Sequence, residues 1–295
     1  MIKYLNEQED THPQQTERKK RKLEADAKKG KRKSEQHFKS GMALYTAAFL
    51  LAMSIFCMAQ PACITASAPK KELPIYFVDR DDGKISISFD AAWGGDKTEK
   101  ILDILDEYNV KTTFFLVDIW TERFPELVKE IVARGHEIGN HSTTHAEMSK
   151  QGHDAIVQEL KVMSDHVEEL TGIRPTLFRP PYGDYDDEVV RTARSEGYEV
   201  IQWSVDSLDW KNKGVQDLVS RSTKKVKSGD IILFHNDSQY IVEALPQILE
   251  SYQSQGLQVV KVSEILLDAP WQIDHQGCQK PVPVTTATKI PEVES

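Results

Sequence analysis

The stretch Glu137-Ile138-Gly139-Asn140-His141-Ser142-Thr143-Thr144-His145 shows the pattern on which the chain is built. Its first residues are predicted to form a short strand, and the loop after the strand carries two histidines four residues apart. If this loop closes with a helical turn, His141 and His145 lie on one face and can converge on a Zn²⁺-like ion. Because the chain has 9 histidines among 295 residues, the spacing alone is weak evidence.

Strands and amphipathic helices alternate on both sides of this stretch. Residues 84–89 place an apolar side chain at every second position, as a half-buried strand does, whereas residues 156–170 place them at helical spacing. The predicted strands are 84–89, 110–116, 136–139, 176–178, 199–205, 230–234 and 257–262. Seven strands separated by helices predict a parallel sheet or barrel.

Polar side chains follow the ends of five different predicted strands. They are Asp90, His141, Arg179, Asp206 and His235. In a β/α barrel these strand ends share one face, and active sites are built there from residues of several strands. Solvated charges that serve no site are expected to scatter over helix surfaces instead. The positions therefore strengthen the case for a site that contains the two histidines.

The charge is divided unevenly along the chain. Residues 1–40 hold 12 Lys and Arg against 7 Asp and Glu, whereas the remainder holds 25 against 39. The acidic main domain argues against nucleic acid as a partner. Cys57 and Cys63 lie in or beside an apolar run and Cys278 is far from both, so no disulfide framework is expected inside the main domain.

The apolar run follows the basic segment directly and has no charged residue between Gly41 and Lys70. Its length suffices to span a bilayer, and the preceding Lys and Arg residues orient that side toward the cytoplasm. Cleavage after Ala66-Ser67-Ala68 is the alternative, but the segment before it is long for a signal peptide. We therefore expect a basic cytoplasmic arm (1–41), a transmembrane signal-anchor (42–68), a linker (69–83), an extracytoplasmic domain (84–268) and a disordered tail (269–295).

Five ordered motifs resemble those of the polysaccharide deacetylase family, the NodB-type carbohydrate esterases. They are Phe89-Asp90, His141 to His145, Arg179-Pro180-Pro181-Tyr182-Gly183, Asp206-Ser207-Leu208-Asp209-Trp210 and Ile232 to His235. The resemblance covers about residues 84–267. It implies a distorted (β/α) barrel, a divalent metal, and removal of acetyl groups from N-acetylated sugars of peptidoglycan, chitin or xylan-like glycans. A membrane-tethered domain outside the cytoplasm faces the wall, which favours peptidoglycan.

The chemistry of amide hydrolysis gives roles to four of these residues. A bound cation lowers the pKa of water and polarises the acetyl oxygen, and His141 and His145 are the expected ligands of zinc or cobalt. By similarity, Asp90 is the base that takes the proton of the water. The leaving amine needs an acid, and His235 suits this role because an imidazole titrates near neutral pH.

The resemblance also assigns supporting residues. Arg179 is expected to orient Asp90, and Asp206 and Asp209 to support His235. A backbone N–H near Tyr182 is expected to stabilise the oxyanion, and Trp210 and Phe234 to line the acetate pocket. Structural alternatives stay open at this point: Asp90 as a helix cap, His235 as a core histidine, Arg179 with Asp206 as an ion pair, and Tyr182 and Trp210 as core aromatics.

One position departs from the family pattern. Members usually have two adjacent acids after the first strand, the base and then a metal ligand, whereas this chain has Ala91 in the second place. A catalytic zinc normally has three protein ligands plus water, so the loss of one is expected to loosen the ion. The third ligand is not identified by the sequence.

The sequence thus predicts a membrane-attached, metal-dependent hydrolase that removes N-acetyl groups from cell-wall polysaccharide. Two alternatives remain: a non-catalytic glycan-binding or scaffold protein derived from a deacetylase, and an esterase acting on O-acetyl groups. The retained Asp90 and His235 favour the enzyme, because a protein that only binds glycan needs neither base nor acid.

Overall fold

A parallel sheet occupies the centre of the folded part of the chain. The protein, seen here in a computed structural model, is described over residues 71–282 and at separate positions between residues 17 and 53. Across the sheet the strands lie in the order Glu199–Val200 (β6), Leu177–Phe178 (β5), Glu137–Asn140 (β4), Thr113–Leu116 (β3), Lys84–Ala91 (β2), Ile231–His235 (β8) and Val205–Asp206 (β7). Gln258–Val259 (β9) pairs with the beginning of β2. All of these pairings are parallel. The predicted distorted (β/α) barrel of about seven parallel strands is confirmed.

The elements follow one another in the expected alternation. The strands are β1 Phe77–Val78, β2 Lys84–Ala91, β3 Thr113–Leu116, β4 Glu137–Asn140, β5 Leu177–Phe178, β6 Glu199–Val200, β7 Val205–Asp206, β8 Ile231–His235, β9 Gln258–Val259, β10 Trp271–Ile273 and β11 Cys278–Pro281. The helices are α1 Thr98–Glu107, α2 Asp118–Arg123, α3 Pro125–Ala133, α4 His153–Thr171, α5 Asp187–Ser195, α6 Val215–Thr223, α7 Ile241–Ser254 and α8 Val262–Ile265. The predicted strand 199–205 is in fact two strands, β6 and β7.

The central strand β2 shows how the sheet separates core from site. Ile85, Ile87 and Phe89 belong to a large buried cluster with the apolar faces of α1 and α7. Side chains alternate along a strand, so Ser88 and Asp90 face the opposite side. The outer face of the sheet therefore holds the main core, and the inner face is free to carry polar side chains.

The predicted linker 69–83 is wrong over its described part. Ile75 and Val78 are buried, and β1 pairs in parallel with β11. The backbone N–H of Ile75 also donates to Val200 at 2.8 Å. Leu73 to Val78 is an apolar run, but its partner lies about 200 residues later, a pairing that local patterns do not reveal.

The predicted disordered tail 269–295 is also wrong where it is described. Strands β10 and β11 pair antiparallel, and Cys278 and Gln279 are buried. The Gln279 side chain accepts a hydrogen bond from the backbone of Leu267 at 2.8 Å. Pairing and this buried amide hold a segment that has few apolar residues. Residues 283–295 lie outside the described residues.

The predicted basic arm (1–41) and signal-anchor (42–68) fall mostly on residues outside the described part. Among the residues that are described, no helix combines the length and the apolar character needed to cross a membrane.

Candidate active site

A cavity of about 700 Å³ opens at the carboxyl ends of the central strands. Seven of the residues singled out in the sequence line it: Asp90, His141, His145, Tyr182, Asp206, Trp210 and His235. Asp90 and His235 are register partners on the adjacent strands β2 and β8, so their side chains enter the cavity side by side. Residues from the ends of several strands thus meet in one cavity.

Arg179 lies behind Asp90 and is fully buried. Its Nη1 donates to Oδ1 of Asp90 at 2.7 Å, and its guanidinium stands over the ring of Phe115 at 4.0 Å. Burial raises the pKa of Asp90, but the charges of Arg179, His141 and His235 act in the other direction and hold this pKa below its usual range. Asp90 is therefore an ionised carboxylate at neutral pH, and Arg179 pairs with it rather than with Asp206.

The two histidines converge through a loop and not through a helix. Ser142 and His145 both adopt positive φ, 71° and 60°, which turns the chain back on itself. The ring centroids of His141 and His145 are 5.1 Å apart. The i, i+4 spacing thus brings the imidazoles together, although the helical turn considered from the sequence does not form.

Hydrogen bonds from neighbouring side chains hold this loop, which we call the histidine loop (residues 141–145). Oδ1 of Asn140 accepts from the backbone of Ser142 at 2.7 Å, and Oγ of Ser142 accepts from the backbone of His145 at 3.0 Å. On the other side, one carboxylate oxygen of Glu159 in α4 accepts from the backbone N–H groups of Thr143 and Thr144, both at 2.8 Å. The left-handed backbone is therefore fixed at both ends.

The two imidazoles suit a divalent cation in their protonation and in their free nitrogens. Nδ1 of His141 lies 2.7 Å from the carbonyl oxygen of Arg179, to which it donates, so Nε2 carries the lone pair and lies 3.5 Å from Asp90. Nδ1 of His145 is buried and has no hydrogen-bond partner in the described part of the chain. Burial lowers the pKa of both rings, for His145 to about 4, and neutral imidazole is the form that binds metals.

A third ligand of the kind expected for such an ion is not found among the residues that the structure describes. Within residues 71–282 and the described positions upstream, no group of three or more metal-ligating side chains is found. Ala91 is fully buried and belongs to the apolar cluster under the helices, whereas the next residue, Ala92, lines the cavity. His141 and His145 would therefore hold a cation through two protein nitrogens.

His235 is paired with Asp209. Its Nδ1 lies 2.8 Å from one oxygen of the buried carboxylate, and its backbone N–H donates to the other at 2.7 Å. Burial lowers the pKa of His235, but this hydrogen bond and the negative charges of Asp209 and Asp90 outweigh it and raise the pKa to about 9. The ring is therefore protonated at neutral pH and exposes Nε2 to the cavity.

Two predicted site residues, Phe234 and Asp206, make contacts other than the expected ones. Phe234 does not line the cavity: it is fully buried in the main core and stacks on Phe89 at 5.7 Å. The alternation along β8 explains this, because Leu233 and His235 face the cavity and Phe234 between them faces the helices. Asp206 lines the cavity, but its carboxylate accepts from the backbone of Leu208, and the support of His235 comes from Asp209.

Sequence reasoning missed several residues at the site, among them Trp93 and Glu159. Trp93 lines the cavity and is 61% exposed, with its ring edge-on to His145 at 5.8 Å. Its closeness in sequence to Asp90 is the only signal for it. Glu159 holds the histidine loop from α4, and nothing in the sequence separates it from the other surface acids of that helix.

An ionised carboxylate, a protonated imidazole and two neutral histidines around one cavity define a hydrolase of the (β/α)-barrel class. Residues 78–201 match the polysaccharide deacetylase family. The chain is 37% identical over 198 residues to a peptidoglycan-N-acetylglucosamine deacetylase of Bacillus cereus, an alignment that covers 64% of this chain and 91% of that protein. The chain belongs to the polysaccharide deacetylase family.

Solved structures agree with this assignment. The structure of BA3943 from Bacillus anthracis, described as a CE4 family pseudoenzyme, is 32% identical with a TM-score of 0.64, and the match covers 66% of this chain and 69% of that one. A mutant of BA3943 described as having restored enzymatic activity is 34% identical, also with a TM-score of 0.64, and the match covers 66% and 71%. The chain thus resembles both active and inactive relatives.

Proposed function

We propose that the protein removes N-acetyl groups from the amino sugars of peptidoglycan and releases acetate. The observation that carries the proposal is the opposite charge of two register partners, ionised Asp90 and protonated His235, which face one cavity. Two titratable groups whose environments drive their pKa values apart are the usual basis for assigning a base and an acid. The name of the Bacillus cereus relative supports the choice of substrate.

In this mechanism Asp90 is the general base. Its Oδ1 is bound to Arg179, and its Oδ2 takes a proton from the water that attacks the acetyl carbonyl carbon. Arg179 fixes the carboxylate in place and keeps it ionised. Since the guanidinium is fully buried, its orientation is set by packing and does not depend on the substrate.

His235 is the general acid. Its Nδ1 is bound to Asp209, so Nε2 delivers the proton to the sugar nitrogen as the C–N bond breaks. The sugar nitrogen then carries two hydrogens and leaves as the free amine. The acetyl carbon has gained the hydroxyl of water and leaves as acetic acid, which ionises to acetate. Asp209 holds the ring orientation and stabilises the charged form before the proton is transferred.

His141 and His145 are proposed to hold a divalent cation, for which zinc and cobalt are the candidates. When bound, such an ion polarises the acetyl oxygen and lowers the pKa of water. The histidine loop contributes by presenting two neutral imidazoles at a fixed separation.

The test is acetate release from purified peptidoglycan after chelation and after addition of Zn²⁺ or Co²⁺. We expect metal-dependent release, and Asp90→Asn and His235→Ala should each lower turnover by about 10²-fold or more. Circular dichroism checks that both variants fold. Unchanged activity in a folded variant removes that residue from the mechanism, and release only from O-acetylated material assigns the site to an esterase.

A non-catalytic glycan-binding protein is the second candidate. Ala91 in place of the usual acid and the similarity to the BA3943 pseudoenzyme favour it. This candidate predicts glycan binding with no acetate release at any metal concentration. The buried Asp90–Arg179 and Asp209–His235 pairs count against it, because binding alone requires neither.

We further propose that the domain is attached to the membrane and acts outside the cytoplasm. Support comes from the sequence, in which the basic segment 1–40 precedes a charge-free stretch. Protease added to intact cells stripped of their wall should digest the domain and spare the basic segment. A product found wholly in the cytoplasm contradicts this proposal.

A further inference from the structure

Three strongly exposed aromatic side chains surround the mouth of the cavity. Trp93, Tyr182 and Trp210 are 61%, 66% and 57% exposed. In the part described from residue 71 to 282, these are the large aromatic side chains with more than half of their surface exposed, and all three line this cavity. We call them the aromatic rim. Exposed apolar side chains that occur singly need no explanation, but a group of them around a pocket marks a binding surface.

The loop that carries Trp93 is held rigidly. The carbonyl oxygen of Gly94 accepts from Nε1 of Trp120 at 2.8 Å and from the side chain of Asn236 at 2.6 Å, and both donors are buried. A Cβ on Gly95 would approach the ring of Phe124 to 2.9 Å, so the backbone packs directly on that ring. The backbone that carries Trp93 is therefore held in place, which lowers the entropy lost when a ligand binds to this loop.

The position of Trp93 relates it to the reacting group. The ring of His145 contacts the rings of both Trp93 and Tyr182 in edge-on arrangements, with ring centroids 5.8 and 4.4 Å away. A flat ligand on the exposed surface of Trp93 would therefore be adjacent to His145. The cavity of about 700 Å³ is far larger than an acetyl group needs, and Lys97, Asp237 and Gln239 add polar groups near the same loop.

We propose that Trp93 forms a subsite for a second sugar ring, next to the sugar whose acetyl group is removed. The apolar face of a pyranose stacks on an indole, while its hydroxyls reach the polar side chains around it. The substrate class is then an oligomeric N-acetylated amino-sugar chain and not a single sugar. This inference rests on the proposed function for the identity of the reacting sugar, but the binding itself does not require turnover.

The experiment measures binding in the Asp90→Asn protein loaded with Zn²⁺, so that no substrate is consumed. N-acetylglucosamine and its β-1,4-linked oligomers of two to five rings are titrated by calorimetry. We expect affinity to rise from one ring to two or more, and Trp93→Ala to weaken oligomer binding about tenfold while leaving binding of the single sugar nearly unchanged. Trp93→Tyr, which keeps a flat ring, should recover part of the affinity.

Ile173→Ala is the matched control, because Ile173 is an exposed apolar side chain that does not line the cavity. It should bind oligomers as the parent does. Equal length dependence in the parent and in Trp93→Ala overturns the subsite, even if the wild-type protein releases acetate. Absence of oligomer binding at every length also overturns it. Oligomer binding that depends on Trp93 supports the subsite even if no acetate is released.

Discussion

A single carboxylate, Asp209, sets the protonation state of the proposed acid. Without its hydrogen bond, burial lowers the pKa of His235 from its present value of about 9. The alkaline limb of a pH profile of kcat/KM reports the acid of the free enzyme. We therefore expect Asp209→Asn to move this limb down by about two pH units, toward the ordinary histidine value.

Asp206→Asn is the matched control for this measurement. Asp206 lines the same cavity, but its carboxylate is bound to the backbone of Leu208 and not to His235. With the same metal, the alkaline limb of the kcat/KM profile should move much less in Asp206→Asn than in Asp209→Asn. Equal shifts in the two variants contradict a specific role for Asp209.

Ala91 stands where the family usually has an acid that binds the metal. Ala91 ends β2 opposite Leu116, whose carbonyl oxygen accepts from the backbone of His141 at 2.9 Å. Ala91 is fully buried in the apolar cluster under the helices, so a carboxylate there is destabilising unless the end of β2 turns it from that cluster toward the cation. Ala91→Asp should therefore lower the melting temperature of the metal-free protein and give a larger stabilisation by Zn²⁺ than wild type, with tighter binding in calorimetry.

Ala92→Asp and His141→Ala are the controls for Ala91. Ala92 faces the cavity, so an acid there should be tolerated without metal. His141→Ala should abolish Zn²⁺ binding in both the wild-type and the Ala91→Asp backgrounds. If Zn²⁺ stabilises Ala91→Asp no more than wild type, position 91 does not face the metal.

At the scale of elements, helix α4 determines the shape of the histidine loop. Glu159 binds two consecutive backbone N–H groups of the loop, and its other oxygen accepts from the Thr144 hydroxyl at 2.6 Å. Residues that orient metal ligands usually contribute about 10- to 100-fold to metal affinity. We expect Glu159→Ala to weaken Zn²⁺ binding by about this factor and to change the melting temperature of the metal-free protein only slightly.

Glu169→Ala tests whether the effect belongs to the loop contact. Glu169 is an exposed acid on the same helix, so its removal changes the helix charge equally. Calorimetric Zn²⁺ titration should give wild-type affinity for this variant. If Glu159→Ala and Glu169→Ala lower the affinity for Zn²⁺ equally, the helix contributes charge and not positioning.

The elements also show how far local sequence patterns determine the fold. Periodicity and strand ends predict the parallel sheet and bring Asp90, His141 and His235 to one face, because strand polarity alone places them there. The unbroken apolar run Ile231 to Phe234 hides the alternation of β8, so its pattern does not show that Phe234 packs in the core while Leu233 and His235 face the cavity. Local patterns also miss contacts between elements distant in sequence, such as β1 with β11 and Glu159 with the histidine loop. The support of His235 by Asp209 is expected from the family resemblance and not from local patterns.

At the scale of the whole molecule, buried histidines make stability depend on pH. His136 is 5% exposed, its ring is edge-on to Phe114, and burial lowers its pKa to about 4. Burial lowers the pKa of His141 and His145 in the same direction. Below pH 6.5 the unfolded chain therefore binds more protons than the folded one, and stability falls as the pH falls. His235 acts oppositely: its contribution is present below pH 6.5 and is lost as the pH rises through about 9.

The contribution of His136 can be isolated because it lies away from the cavity. Its Nδ1 accepts from the backbone of Thr112 at 3.2 Å, and Asn is the residue whose side-chain oxygen best replaces that acceptor. A pKa of about 4 in the folded state predicts a loss of about 2 kcal/mol between pH 7 and pH 5 from this group. His136→Asn should therefore be less stable than wild type at pH 7 but lose about 2 kcal/mol less on acidification, measured by urea unfolding of the metal-free protein.

The exposed His275→Asn should follow wild type at both pH values. The same acid-induced loss in His136→Asn and wild type contradicts a neutral, buried His136.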